Sequence, residues 1–284
     1  MIKIGGELKI ILGATFFALI PVGVKWGGEL SVYALLFGRL LVAALVIFIF
    51  SRHRSKLLNI SLKDTFILIV WALIMLFAMI TYFISIRYCG MSIASALLGA
   101  QPVLVVLLAA LLFRQKISSF ALFAAVLGFA GILCIVKVSD LLDPKYFQGE
   151  LFGLLSAFLI SLNFVYKKKF LNSFEAGDLV FYQSVFQLPF LIPFFWGESL
   201  VFSVHSVGAV LLLGIVCTVL SYTLIYSGIK TVHPQKIGIL QSIEYVLPVA
   251  IGMAFYNERP DIISLIGVGL ILVSCLLVIG GKKA

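Results

Sequence analysis

The sequence predicts an all-α integral membrane protein of ten transmembrane helices, arranged as two inverted five-helix repeats. Three observations predict it. Apolar residues make up 62% of the 284 and charged ones only 12%, whereas soluble domains carry about 45–50% and about 25%. Mean hydropathy is +1.19, and the chain aligns with itself at an offset of 143 residues. A chain this apolar cannot cover itself with water-facing side chains. Crossing a hydrocarbon core of about 30 Å takes about 20 helical residues, so ten helices and short connections use nearly the whole length and leave no room for a separate soluble domain. The apolar runs are too long for barrel strands of about 9–11 residues.

Cutting the apolar windows at charged and Gly/Pro-marked breaks places spans near 8–26, 31–50, 65–86, 92–113, 118–138, 150–168, 179–196, 205–228, 236–256 and 261–280. Met1–Lys9 has the two lysines of a signal-peptide n-region, but its apolar run is long and no small-residue cleavage site follows, so it reads as an uncleaved first span. Only Lys25-Trp26-Gly27-Gly28-Glu29 divides spans one and two. Pro21 and the double glycine equally fit a kink in irregular backbone at membrane depth.

Lys and Arg are retained on the cytoplasmic side. With the N-terminus inside, the inner ends hold Lys3, Lys9, Arg52, Arg54, Lys56, Lys63, Arg114, Lys116, Lys167, Lys168, Lys169, Lys230, Lys236, Lys282 and Lys283, and the outer ends hold Lys25, Arg87, Lys137, Lys145 and Arg259. Fifteen against five predicts cytoplasmic termini and a multi-pass protein of the plasma (cell inner) membrane. The net charge of +9 is then topological signal, aided by anionic lipid, and not a sign of nucleic acid as a partner.

At offset 143, Leu8, Ala14, Leu19, Val22 and Lys25 fall on Leu151, Ala157, Leu162, Val165 and Lys168. Leu97, Val103, Leu104 and Val106 fall on Leu240, Val246, Leu247 and Val249, and Gln115-Lys116 on Glu258-Arg259. This divides the chain into a first repeat, 1–143, and a second, 144–284. Five spans per half is odd, so the second half enters from the opposite side. The connection after span two carries four Lys/Arg and its equivalent, Trp196 to Ser206, none. Inverted repeats are the architecture of many secondary transporters, with the substrate site near the midplane.

The chain resembles the drug/metabolite transporter superfamily, in particular its EamA-like members, over essentially its whole length. The residues that carry the resemblance are Lys25, Arg39, Pro102 followed by Leu-Leu-Phe-Arg-Gln-Lys-Ile-Ser (111–118), Glu244, and Phe-Tyr-Asn-Glu-Arg at 255–259. The short Gly-Glu-Arg/Lys signature after span four departs here to Arg114-Gln115-Lys116, and the Glu-Pro of span nine to Glu244-Tyr245. The resemblance implies ten helices, export of a small metabolite, and a central cavity lined by spans one, three, four, six, eight and nine.

Ionisable groups at membrane depth mark functional candidates. Glu244 lies mid-span between Gln241 and Pro248 on one helical stripe, with Gln101 as its repeat mate. Glu244 either receives a substrate amino group or takes up an exchanged proton; its structural alternative is a carboxyl pinned by hydrogen bonds around a kink. Arg39 lies about two turns into span two, roughly 12 Å deep, and aligns with Tyr182. Anchoring to neighbouring carbonyls competes there with contact to an anionic substrate group. Thr218, Ser221, Tyr222 and Tyr226 of span eight, Thr81, Tyr82 and Ser85 of span three, and Asn163 and Tyr166 of span six complete the expected lining. Singly, such residues are ordinary interhelical hydrogen bonds worth about 0.6 kcal/mol; together they describe a pocket for an amphipathic solute. The 25 phenylalanines read as packing. Spans five and ten, with small-residue spacings at Ala124/Gly128 and Gly267/Ile271, read as scaffold.

Cys89, Cys134, Cys217 and Cys275 are isolated, His53, His205 and His233 fall near span ends, and no Gly-rich phosphate loop is present. No cofactor or metal is indicated, and transport energy comes from a gradient or exchange. The sequence thus reads as a secondary transporter, not an enzyme, that moves an amino acid or related amine by alternating access as an exporter or exchanger. Its partners are the small-molecule solute and the bilayer, with monomer and homodimer both open. The rivals are an intramembrane enzyme on a lipid or peptide, which needs an acid/base pair, and a channel, which needs rings of charge.

Overall fold

Apolar windows bounded by glycine, proline and charged breaks become helices. In the computed structural model, residues 5–51, 60–113, 119–136, 143–167, 170–196, 203–232, 237 and 240–280 are described. Their regular elements are all helical: Gly6–Phe17 (α1), Ile20–Trp26 (α2), Val32–Phe50 (α3), Leu62–Leu98 (α4), Gln101–Phe113 (α5), Ser119–Ile135 (α6), Pro144–Lys167 (α7), Ala176–Phe195 (α8), Val204–Leu211 (α9), a π-helical segment Leu212–Leu220, Ser221–Ile229 (α10), Ile243–Phe255 (α11) and Ile262–Gly280 (α12). Among the described residues six helical stretches are long and apolar enough to cross a membrane, with 122–135, 243–255 and 262–274 as shorter apolar helices. The chain is a multi-pass membrane protein. Of the residues used above, Lys3, Arg52, His53, Arg54, Lys56, Arg114, Gln115, Lys116, Lys137, Lys168, Lys169, His233, Lys236, Lys282 and Lys283 lie outside the described ones.

Three departures from the expected spans have local causes. The first span is two helices, because Pro21 has no N–H to give the Phe17 carbonyl and Leu19 N instead closes a turn onto Phe16 O at 3.2 Å. Spans three and four run into each other through Gly90, at φ 86° and ψ 167°. Only glycine adopts that conformation without strain. Span six begins at Pro144 instead of near 150 and takes Glu150 inside its helix.

The helices form two compact units, Met1–Ile80 with Lys167–Val232, and Thr81–Tyr166 with His233–Ala284. Each draws on both halves of the sequence. In unit 1, α1 packs on α10 through small residues: a Cβ at Gly13 would lie 2.9 Å from Ser221 O, and one at Gly228 would lie 2.6 Å from Ile10 Cγ1. Ser221 Oγ donates to Gly13 O at 2.9 Å across this contact. Helices α3 and α8 are antiparallel, as three ring pairs require: Tyr33 with Phe194, Phe37 with Phe195, and Phe48 with Phe181.

In unit 2 the glycines of the two scaffold spans meet each other. A Cβ on Gly131 would fall 2.8 Å from Gly267 O, and Ser274 Oγ donates to Ala124 O at 2.6 Å. This is the close backbone approach by which helices associate without a hydrophobic driving force. Helix α7 reaches α4 in the same way, with Gly149 against Tyr88 and Cys89, and Gly153 against Ser85 and Leu97.

Candidate functional site

Span four is an interrupted helix. After Leu98, Gly99 and Ala100 close i→i−3 turns onto Ala96 O (2.9 Å) and Leu97 O (3.1 Å) before α5 starts at Gln101. Glycine favours a break, and Pro102 lacks the N–H that a continuous helix would aim at the Leu98 carbonyl. Span nine breaks at the equivalent place: Leu240 and Gln241 are helical, Ser242 is a turn residue, and α11 runs from Ile243. The offset of 143 carries Gly99 to Ser242 and Gln101 to Glu244. Each polar residue therefore stands in the first turn after its break. The expected stripe from Gln241 through Glu244 to Pro248 is divided at Ser242, so Gln241 belongs to the preceding stretch.

The two breaks, both in unit 2, are linked. Tyr245, beside Glu244, donates its hydroxyl to Gln101 Oε1 at 3.0 Å. Ser161 of α7 donates to Ala157 O at 2.6 Å and lies 3.1 Å from Gln101 O. Glu244 is 6% exposed, and its place in the first turn of α11 is favourable for an anion, because unpaired N–H groups and the helix dipole converge there. Tyr82 meets Ser95 at 2.9 Å, closing the Gly90 bend from inside. Asn163 is buried and Tyr166 half-buried on α7.

The bend at Gly90 is held from far along the chain. Glu258 accepts from Met91 N at 3.0 Å and from Ser92 N at 2.8 Å, so one carboxylate caps the helical stretch that leads to Gln101. Gly252 makes room, since a Cβ there would lie 2.7 Å from Glu258 Oε2. The Asn-Glu-Arg run that carried the resemblance in the second half thus works as a helix cap.

Unit 1 holds Arg39, Thr218, Ser221, Tyr222 and Tyr226 of the expected residues. Arg39 is 2% exposed; its Nε donates to Thr218 Oγ1 at 2.6 Å and its Nη1 to Met79 Sδ at 3.4 Å. Thr218 Oγ1 in turn donates a hydrogen bond to Leu213 O at 2.7 Å, so the guanidinium anchors the π-helical segment. Such segments recur at functional sites. Tyr222 and Tyr226 stack with centroids 5.5 Å apart, and Tyr226 donates to Gln183 Oε1 at 2.9 Å. The Ser221 hydroxyl is committed to Gly13. An apolar groove of about 440 Å³ elsewhere on unit 1 is lined by Phe37, Val210 and neighbours, with Ser206 as its polar member.

Four side chains escaped sequence reasoning. Glu150 is fully buried, but it fell at the edge of the assigned window. Lys167 is 7% exposed, and its place at a span end reads from sequence only as a topology signal. Gln183 and Gln187, both buried, sit one turn apart in an apolar span, and that spacing of polar residues was the available signal. Among the described residues no group of three or more His, Cys, Asp or Glu is placed to hold a metal ion.

The sequence profile of the EamA-like transporter family matches residues 4–137 and again 147–280, two stretches displaced by 143 residues at both ends. An uncharacterized transporter of Archaeoglobus fulgidus is 26% identical over 270 residues, covering 92% of this chain and 91% of that one. The pseudopaline exporter CntI of Pseudomonas aeruginosa is 23% identical over 284 residues, covering 100% and 98%. A solved crystal structure shares the fold, with a TM-score of 0.68 at 17% identity over 96% of each chain.

Proposed function

Because the chain belongs to the EamA-like transporter family, we propose that it is a secondary exporter or exchanger of a small metabolite, an amino acid or related amine, working by alternating access. The moving parts are the inverted repeats 1–143 and 144–284, in the plasma membrane with both termini cytoplasmic. The observation that carries this reading is the interruption of spans four and nine at one repeat position, with Gln101 and Glu244 opening the two second parts. Broken helices at matching places in two repeats are where transporters of this architecture bind solutes. Glu244 receives the amino group or the exchanged proton; Gln101, Gln241, Tyr82, Asn163, Tyr166, Ser221, Tyr222, Tyr226 and Arg39 complete the substrate-binding set. A curated relative named as an exporter supports the outward direction.

Counterflow in proteoliposomes tests the reading. A carrier is accelerated by unlabelled solute on the far side, a channel is not, and an enzyme returns altered product. Glu244→Gln abolishes solute exchange or removes its pH dependence while the protein still reaches the membrane. Unchanged exchange kinetics in that variant would sink the role of Glu244.

A further inference from the structure

Gln101, which opens α5, is held from two other helices of unit 2. Ser161 Oγ of α7 lies 3.1 Å from its main-chain O, and the Tyr245 hydroxyl of α11 donates to its side-chain Oε1 at 3.0 Å. Tyr245 is 3% exposed, and packing places it: a Cβ on Gly99, in the break of span four, would lie 3.8 Å from Tyr245 Cβ. An amide has one accepting end and one donating end. With the carbonyl given to Tyr245, the NH₂ of Gln101 is turned the other way. The residue is half-buried, and among the described residues nothing accepts from its Nε2, which is not enclosed either. An open N–H against hydrocarbon is costly, so polar groups at membrane depth face the bundle interior or a water-filled space. The two N–H bonds of Gln101 are therefore open to a solute.

The repeat shows that this arrangement belongs to one side only. The offset of 143 carries Gln101-Pro102 to Glu244-Tyr245, and Pro102 has no side-chain donor to return the contact. The second repeat thus orients the amide of the first, and a side chain that could offer either end is fixed as a donor. We propose that Tyr245 is a positioning residue of the transport site: by locking the Gln101 amide it requires the solute to present an oxygen acceptor there. This rests on the transporter reading. It selects, among amino acids and related amines, those that keep a carbonyl or carboxylate oxygen beside the amino group.

The test uses the purified full-length chain in detergent and thermal stabilisation by three matched series: the common amino acids, their α-carboxamides, and the amines left by removing the carboxyl group. Acid and carboxamide both keep the oxygen, so at least one such pair stabilises the protein, and the matching amine binds about tenfold more weakly. Tyr245→Phe keeps the ring, frees the amide and cuts that preference by about threefold, the worth of one interhelical hydrogen bond. Gln101→Leu brings the preference toward one, and adding Tyr245→Phe to it changes nothing more, because Tyr245 acts through Gln101. If Gln101→Leu fails to fold, Gln101→Met takes its place, and Tyr245→Phe alone decides if both fail. A merely structural tyrosine would weaken all three series equally in Tyr245→Phe. That result, amines that bind as well as acids, or stabilisation by none of the series overturns the proposal. Counterflow with the same solutes separates the two readings. Exchange of amines as fast as of their parent acids overturns this inference and leaves the transporter intact. Tyr245-dependent binding of an acid that is never moved overturns the transporter and leaves the positioning role.

Discussion

Helix α1 lies on α10 in unit 1 as α7 lies on α4 in unit 2, and one contact shows how far the likeness goes. In unit 1, Gly228 makes room for Ile10; the offset of 143 turns this pair into Ser85 and Gly153, which also touch. The gap has moved to the opposite helix: glycine stands on α10 in the first case and on α7 in the second. Close approach is retained while the residue that permits it is exchanged. The buried charges differ more deeply. The charged side chains buried in unit 1 are Arg39 and Lys167, and those buried in unit 2 are Glu150 and Glu244, among the described residues. The two units thus bury charges of opposite sign, so the chemistry rests on individual side chains laid over a duplicated frame.

The comparison breaks first at Glu244. Glu244→Gln reduces counterflow to the level of empty liposomes, whereas Glu150→Gln alters it less, because Glu150 is remote in sequence from the interruption of span nine; equal losses in the two variants would erase that distinction. A smaller but still large effect follows from filling the scaffold contact. Gly267→Val drives side-chain atoms into the Gly131 carbonyl, already 2.6 Å from an added Cβ. It lowers the thermal midpoint by an amount corresponding to about 1–3 kcal/mol, the usual range for overpacking. Gly228→Ala in unit 1 meets the flexible Ile10 side chain as well as backbone and is milder.

Glu258→Ala removes both acceptors from Met91 and Ser92 and destabilises by about 1 kcal/mol, the worth of a helix cap. Amide hydrogen exchange accelerates at residues 91–92, and Glu258→Gln is intermediate; an unchanged exchange rate would remove the cap from the account. The smallest effect is Tyr82→Phe, which deletes the bond to Ser95 and costs about 0.6 kcal/mol, read in the same thermal assay.

Span positions were legible because apolar length is a strong signal, and the break at Pro21 because a missing N–H acts locally; the break before Pro102 lay unread inside one apolar window. The partners of the glycines were not. The spacings at Ala124/Gly128 and Gly267/Ile271 say that something comes close, but a glycine carries no mark of what it meets. Glu244 and Gln101 were legible as a pair through the repeat alone. The cap by Glu258 was hidden for another reason: its partners are backbone N–H groups, which every residue but proline possesses. At the repeat-equivalent positions Met91 becomes Pro234, in the second half, and Glu258 becomes Gln115, in the first. A donor and a negative charge are thus lost together. The burial of Lys167 against the Tyr226 ring was not legible, because a basic residue at a span end looks the same whether it faces water or a ring.

The Glu258 cap also bears on biogenesis. When α4 leaves the ribosome, the residue that will satisfy Met91 and Ser92 is still 166 residues from synthesis. The glycine face of α6 likewise waits for α12, the last helix described. The first half therefore enters the bilayer with open donors and an uncovered seam, and its final packing is a late event. A chain stopped before residue 258 lacks the carboxylate that caps Met91 and Ser92.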